Sequence, residues 1–229
     1  MTRAELPTTP KEEVSPSVRA QLLAVEHYSL LASRSTTQNE LLVRIAIFLT
    51  LVSASVVSLA LVGQATDFDG RFDAFTIVLF SIVLLVGTLT LLRVQNGSEE
   101  DHAYVIGMNR LRAAYAELDP GIDRYFVTSS RDDGRGVGQT YAYFPHSGWH
   151  VQLFASSWMV ILVVDTVVAS VLAGLVANAA GAPGAVIAIA SAAAGTCYSA
   201  AWIWHFNRRT TAWESQYEAL FPHPSEHAS

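Results

Sequence analysis

Charged residues are scarce in this sequence. They make up 15% of its 229 residues, whereas 51% of the residues are hydrophobic and the mean hydropathy is +0.32. A soluble domain normally carries about 25% charged residues, which supply its polar surface. The sequence therefore excludes an ordinary soluble globular protein. Its hydrophobic residues also fall in long runs, which are typical of membrane-spanning helices.

Cysteine and basic residues are scarce too. Cys197 is the one cysteine, which excludes an intramolecular disulfide and a Cys/His zinc framework. The 14 basic residues are outnumbered by 20 acidic ones, so the sequence lacks the basic face that a nucleic-acid binder needs. The first forty residues contain no short apolar segment with a cleavage site, so we expect no removable signal peptide. We also expect no cofactor, no metal and no nucleic-acid partner.

Long uncharged runs predict four spans in two helical hairpins. Residues 45–63 and 74–92 carry no charge, and each would form about 28 Å of helix, enough to cross the bilayer core. Residues 151–204 carry only one charge, at Asp165, and would extend about 80 Å as a single helix, so they must fold back. The turn is marked by residues that end helices: Asn178, Gly181, Pro183 and Gly184. The third and fourth spans are predicted near 154–176 and 185–206.

The basic residues predict the orientation. Of the 14 Lys and Arg residues, only Arg71 lies in a turn on the side opposite to the termini. Cytoplasmic flanks retain positive charge, so both termini are predicted to lie in the cytoplasm, beneath a plasma or inner membrane. Amphipathic aromatic side chains cluster near the predicted inner ends of the last two spans: Tyr141, Tyr143, Trp149, Trp158, Trp202 and Trp204.

The polar remainder of the chain predicts a cytosolic helical subdomain. Thr37 and Glu40 form a capping box that would begin the first spanning helix, and Ser98, followed by three acids, would begin a cytosolic helix. Apolar side chains at steps of three and four form a predicted cytosolic seam along that helix: Tyr104, Met108, Leu111, Tyr115 and Leu118. The chain then divides into a disordered tail (1–16), an amphipathic helix (17–36), a transmembrane hairpin (41–92), a cytosolic helical loop (93–150), a second hairpin (151–206) and a C-terminal helix and tail (207–229).

The second half of the cytosolic loop is expected to be irregular. Asp119, Pro120 and Gly121 should end the helix, and residues 125–127 should return to the core. Residues 129–138, with Asp132 and Asp133, lack the Lys-Ser/Thr of a phosphate loop and are predicted to be a solvated loop. Helical spacing predicts a last cytosolic helix with four core residues: Trp213, Tyr217, Leu220 and Phe221.

Asp165 is the strongest candidate for a functional residue, because an acid near the middle of a membrane is costly. The same depth in the fourth span is occupied by three polar residues: Thr196, Cys197 and Ser199. Asp165 either fastens two helices by a hydrogen bond or serves an ion or proton path, and the fastening role is favoured. Small residues predict close packing of the last two helices: Ala169, Ala173 and Ala177 in one, and Ala188, Ala192, Gly195, Thr196 and Ala200 in the other.

Other candidate sites are weaker. His146 and His150 lack a third zinc ligand, so an interfacial loop pair is the better interpretation. Asp67, Asp69 and Asp73 miss the EF-hand pattern and suggest a solvated turn or a weakly cation-attracting mouth. No pairing of catalytic groups is recognisable, so we expect no enzyme.

Several segments carry a resemblance. The helix Met108 to Tyr115 contains Asn109-Arg-Leu-Arg, and Leu118-Asp-Pro, Tyr125-Phe-Val and Asp132-Asp133 follow it. In these segments the sequence resembles uncharacterised four-span membrane proteins of high-GC actinobacteria, which implies no known activity. The first half, with Tyr28 in its lead helix, is similar in layout to the two-span SLATT domains proposed to form pores.

The sequence thus predicts an all-α, polytopic membrane protein with four transmembrane helices and a cytosolic helical subdomain. The function expected is that of a non-catalytic scaffold or sensor that oligomerises or recruits a cytosolic protein. The alternative is a small channel, pore-forming effector or transporter that uses Asp165, with Thr196 and Ser199 as further residues of an intramembrane polar site.

Overall fold

The computed structural model describes residues 14–141 and 157–224, and of residues 213–216 it describes the backbone alone. Every regular element in these ranges is helical, which confirms the all-α fold. The helices are α1 (Pro16–Thr66), α2 (Gly70–Leu118), α3 (Gly134–Tyr141), α4 (Ser157–Ala179) and α5 (Gly184–Gln216), with a 3-10 turn at Ile122–Tyr125.

Four of the helices, α1, α2, α4 and α5, are long and apolar enough to cross a membrane. The four predicted spans are therefore confirmed. The turn between α4 and α5 contains Gly181 at φ 74°, a left-handed conformation that glycine adopts without strain. Helix α5 continues well beyond the predicted end of the fourth span, and residues 154–156 of the predicted third span lie outside the described residues.

Helices α1 and α2 form one long hairpin without the predicted interruptions. Each continues from the apolar run into the polar region, over 51 residues in α1 and 49 in α2. The helix starts predicted at Thr37 and Ser98 are therefore wrong. Thr37 is buried and its hydroxyl donates to Glu100 of α2 at 3.3 Å, so a contact between helices uses the group that the capping box assigned to the backbone.

The turn of this hairpin is built from its acidic residues. Asp67 has φ 49° and ends α1, and Asp69 accepts hydrogen bonds from the backbone N–H groups of Arg71 and Phe72 at the start of α2. Asp69 thus satisfies donors that the first turn of a helix leaves free. This turn lies at one end of the bundle, and the polar halves of α1 and α2 lie at the other.

Helix α2 is central to the bundle because it packs against both α1 and α4, and α4 packs against α5. The membrane-level core is a cluster of buried apolar side chains: Phe48, Val83, Leu91, Val94, Ile161, Leu162 and Val168. Helix α1 lies at the edge, with few buried residues in its apolar segment.

The polar halves of α1 and α2, together with α3 and residues 217–224, form what we call the stalk. Val105, Ile106, Met108 and Val137 are buried there, and Leu30 of α1 packs against them. Of the predicted seam only Met108 is buried, whereas four members are half-buried: Tyr104, Leu111, Tyr115 and Leu118. The buried face is rotated from the seam because α1 and α3 contact α2 on adjoining sides.

Two further predictions for the stalk have different outcomes. Helix α2 ends at Leu118 with Asp119 as its C-cap, as the Asp-Pro-Gly sequence predicted. The return of residues 125–127 to the core is wrong, since Tyr125 and Val127 are each 69% exposed.

Candidate functional site

The carboxyl group of Asp165 lies at the junction of α2, α4 and α5. Asp165 is 0% exposed, and its Oδ2 atom accepts a hydrogen bond from the Tyr198 hydroxyl of α5 at 2.9 Å. The Tyr198 oxygen lies 2.9 Å from Oγ1 of Thr88 on α2. Because Tyr198 has one proton and donates it to Asp165, Thr88 is the donor in this second bond. A hydroxyl chain therefore ties all three helices to one carboxylate.

Gly87 lets α2 approach this carboxyl group. A Cβ atom built at Gly87 would overlap both carboxylate oxygens of Asp165. The glycine therefore makes room for the acid, and small residues are the usual means by which membrane helices come close.

The polar residues predicted opposite Asp165 lie elsewhere. Thr196 and Cys197 are exposed, and the Thr196 hydroxyl donates to the Ala192 carbonyl of its own helix at 2.8 Å. Ser199 donates to the Gly195 carbonyl and lies 3.4 Å from the Thr166 hydroxyl. Counting depth along two helices gives the level of a residue but not its rotation about the helix axis, and Tyr198 is the residue at that level which faces Asp165.

The predicted small-residue contact of α4 and α5 is also rotated. Ala169 and Gly195 are buried and Ala173 is half-buried, but Ala188 and Ala192 are exposed, so their assignment to this contact is wrong. A Cβ at Gly195 would overlap the hydroxyl of Ser170, and one at Gly174 would reach that of Ser191 at 2.5 Å. Pairs of one glycine and one serine form the close approach.

Arg93 organises an ion-pair cluster where the apolar part of α2 ends. Its guanidinium donates to Glu40 of α1 at 3.0 and 3.2 Å and to Glu100 at 2.9 Å. The hydrogen bonds from Arg93 and Arg44 lower the pKa of Glu40 to about 2. These contacts fix α1 against α2 at the boundary between membrane and stalk.

Asp101 forms a second cluster. It receives two hydrogen bonds from Arg34 of α1, at 2.6 and 3.2 Å, and one from the Tyr141 hydroxyl of α3 at 2.6 Å. Burial raises the pKa of Asp101, but these bonds outweigh it and leave the pKa below its ordinary value. Farther along, Arg209 of α5 donates to Glu99 at 2.8 Å, so α5 is also tied to α2 here.

Asp132 is a buried acid of the stalk with donors on four different residues. It is 0% exposed and accepts hydrogen bonds from the Arg110 guanidinium at 2.7 Å and the Tyr217 hydroxyl at 2.8 Å. It also accepts from the backbone N–H groups of Leu220 at 3.0 Å and Phe221 at 2.7 Å. A buried carboxylate thus binds a non-helical segment by its main chain.

Asp133 extends the same contact. Its carboxylate accepts from the backbone N–H of His223 at 2.6 Å and lies 2.8 Å from the Nδ1 atom of that residue. It also accepts from the backbone N–H of Gly136 at 2.8 Å, near the start of α3. Residues 217–224, which we call the C-terminal strap, therefore lie across two adjacent acids.

The charge state of Asp132 follows from these donors. Burial raises its pKa, but the bonds from Arg110, from the backbone of Leu220 and Phe221 and from Tyr217 together lower the pKa to about 2. Asp132 is therefore ionised at neutral pH although it is buried.

These positions correct two predictions. The segment with Asp132 and Asp133 is not a solvated loop, because one acid is fully buried and the other caps α3. The helix predicted through residues 213–221 ends at Gln216, and Tyr217, Leu220 and Phe221 belong to the strap. Asp132 and the strap are 85 to 89 residues apart, so no local spacing could reveal their contact.

His146 and His150 lie outside the described residues, as do Tyr143 and Trp149. Within the described ranges no cluster of three or more His, Cys, Asp or Glu side chains could hold a metal ion.

Comparison with known proteins identifies no relative. The chain matches no protein-family model, no curated protein and no solved structure. The resemblances to the actinobacterial four-span proteins and to SLATT domains therefore stay predictions.

Proposed function

We propose that this protein is a non-catalytic membrane scaffold that self-associates through the stalk part of α1. The observation that carries the proposal is an exposed apolar stripe at the beginning of that helix. Val18, Leu22 and Val25 are 44%, 62% and 68% exposed. Their steps of four and three residues continue through the exposed Ser29 and Ala32, which is the spacing of a coiled-coil seam.

The stripe lies away from the rest of the chain. The opposite side of α1 packs on α2, where Leu30 contacts the position of Gly107 and Arg19 pairs with Glu117 at 3.1 Å. An apolar surface along the lipid-facing part of α1 needs no protein partner, but the same surface in water favours association. The stalk is therefore the part of α1 at which a partner stabilises the protein.

A second copy is the occupant that fits. Insertion in the same membrane gives every copy the same orientation and height, so the stripe of one copy meets that of another at matching residues. A two-fold axis along the membrane normal then pairs the stripes as parallel helices, which is a closed and self-complementary arrangement. The stripe is short, so we expect the membrane anchor to favour association as well, because it confines the copies to two dimensions.

The test is the mass of the full-length protein in detergent, measured by light scattering. We expect wild type to be a dimer or larger, and Leu22→Asp to be a monomer, because burial of each leucine contributes about 1.5–3 kcal/mol and a charge there is left unpaired. Ser35→Asp is the matched control, since Ser35 is exposed on α1 but off the stripe. A monomeric wild type, or a Leu22→Asp variant of unchanged mass, would contradict the proposal.

The fastening role of Asp165 is part of this proposal. Its full burial and its bond to Tyr198 support a structural contact, and Gly87 closes α2 over it. A conducting path would need polar groups on both sides of the acid. On the turn side, the neighbouring core residues Val83 and Val168 are apolar.

A further inference from the structure

Buried polar atoms without a hydrogen-bond partner in the described part of the chain are concentrated in one place. Five of them belong to four residues of α2, α4 and α5: Gln95 Oε1 and Nε2, Trp158 Nε1, Asp165 Oδ1 and His205 Nε2. A buried polar atom without a partner is costly, and water is the usual partner of buried polar groups that protein leaves unpaired.

Together with Thr88 and Tyr198, these four residues form two layers across the three helices. The members of the layers, from α2, α4 and α5 in turn, are Thr88, Asp165 and Tyr198 in one and Gln95, Trp158 and His205 in the other. The two members in each helix are seven residues apart, which is two helical turns on one face, or about 10.5 Å along the axis. One layer is the Asp165 junction, and the second lies nearer the stalk.

Contacts between the helices place the second layer at one level. Trp158 of α4 packs on Phe206 of α5 with ring centroids 5.0 Å apart. Leu92 of α2 lines the same cavity as His205 of α5, and Asn96 bonds to Arg209 of α5 at 2.9 Å. Gln95 lies between these two α2 residues in sequence and is 1% exposed.

A cavity of about 330 Å³ lies between α1, α2, α3 and the start of α4, and Trp158 is one of its lining residues. Its lining is mixed: Leu41 and Val94 are apolar, whereas Gln38, Ser98, Asp101 and His102 offer polar atoms to water.

We propose that Asp165 is a proton-binding site that water reaches from the stalk side alone, through a path lined by Trp158, Gln95 and His205. A proton enters along this water and binds the free Oδ1 of the carboxylate, while Oδ2 keeps its bond to Tyr198. It leaves by the same path. This inference is independent of self-association and goes beyond the scaffold role.

The far side of the junction offers few polar groups to water. Val83 and Val168 form the apolar core there, and the Thr166 and Ser170 hydroxyls donate to carbonyls of their own helix. The groups that face Asp165 are Tyr198 from α5 and the uncharged Gly87 and Thr88 from α2. In the second layer the titratable group is His205. Arg93 of α2 and Arg209 of α5, close to this layer in sequence, are paired with acids, and Asp101 and His102 line the cavity on the stalk side.

Water access is tested with single cysteines in full-length Cys197→Ser protein in liposomes. A small membrane-impermeant cationic thiol reagent is added to one side at a time, and Gly134→Cys identifies the stalk side. We expect Gln95→Cys and Asp165→Cys to react from the stalk side at least tenfold faster than Val83→Cys. Val83 is the matched control because it is 1% exposed and lies on α2 in the apolar core. Equal protection of all three thiols would overturn the path, and so would reaction from the turn side.

Proton binding is tested by infrared spectroscopy of the same liposomes. The carboxyl band of Asp165 is identified by its loss in Asp165→Asn, or by isotope labelling of aspartate if that variant fails to fold. We expect the band to follow the pH of the stalk side and to ignore the pH of the other side. Gln95→Leu should slow its response at least tenfold. A band that follows the turn-side pH, or that does not respond to stalk-side pH, would overturn the proposal.

Discussion

Gly87 of α2 lies against the carboxyl group of Asp165 of α4 so closely that neither residue can be changed without affecting the other. The acid occupies the space that any other side chain at position 87 would need. Asp165 is also held by the hydrogen bond from Tyr198, which it would lose if its side chain moved away. The two residues therefore specify the distance between α2 and α4.

Gly87→Ala should destabilise the protein by about 1–3 kcal/mol, because overpacking a close contact forces the helices apart. The measurement is thermal unfolding in detergent. Gly184→Ala is the control, since nothing lies within 4 Å of a Cβ at that position. Adding Asp165→Ala to Gly87→Ala should restore part of the loss, and strictly additive effects of the two changes would contradict the contact.

Asp132→Asn should release the C-terminal strap. The amide replaces a charged acceptor, and its NH2 group faces donors on Arg110, Leu220 and Phe221. Hydrogen bonds to a charged group contribute about 1.5–3 kcal/mol, so the hydrogen-exchange protection of these two amides should fall by about 10- to 150-fold. Asp123→Asn, at an exposed acid of the 3-10 turn, should leave this protection unchanged.

Acid should release the strap in wild type. The pKa of Asp132 is lowered from 3.8 to about 2 in the folded state. A lowered pKa means that its contribution to stability is complete above about 3.8 and is lost as the pH falls through about 2. Cleavage of the strap by pepsin should therefore increase across this interval. In Asp132→Asn the strap should be cleaved at every pH tested, and a wild type without an acid-dependent step would contradict the assignment.

Cysteine labelling should verify the orientation that the basic residues predict. In a Cys197→Ser background, an impermeant reagent added to intact cells should reach Gly70→Cys, at the start of α2, and Gly181→Cys, in the turn between α4 and α5. It should not reach Gly134→Cys at the start of α3. Labelling at position 134 alone would place the stalk outside the cell.

The spans were predictable because hydrophobic length is a property of the sequence itself. The helix starts assigned to Thr37 and Ser98 were wrong, because a residue that can cap a helix can also lie inside one. The Thr37 hydroxyl bonds to Glu100 of α2, a contact that depends on the packing of the two helices and not on local sequence. Asp165 could be found because an acid in a span is rare, but its partner Tyr198 depends on helix rotation.

The contact of Asp132 with the strap was beyond sequence reasoning for a different reason. Adjacent acids among glycines are typical of solvated loops, and the donors that bury Asp132 come from residues far along the chain. The main-chain N–H groups of Leu220 and Phe221 carry no sequence signal at all.

The absence of a break in α1 between the membrane and the stalk has a mechanical consequence. A continuous helix behaves as a lever, and about 25 residues of α1 extend beyond the membrane, or about 38 Å at 1.5 Å per residue. When the bilayer becomes thinner, spans longer than its core tilt. A tilt of about 10° over that arm displaces the tip by about 6–7 Å. A change in bilayer thickness would thus move Pro16, at the tip of α1, sideways by about the size of a side chain.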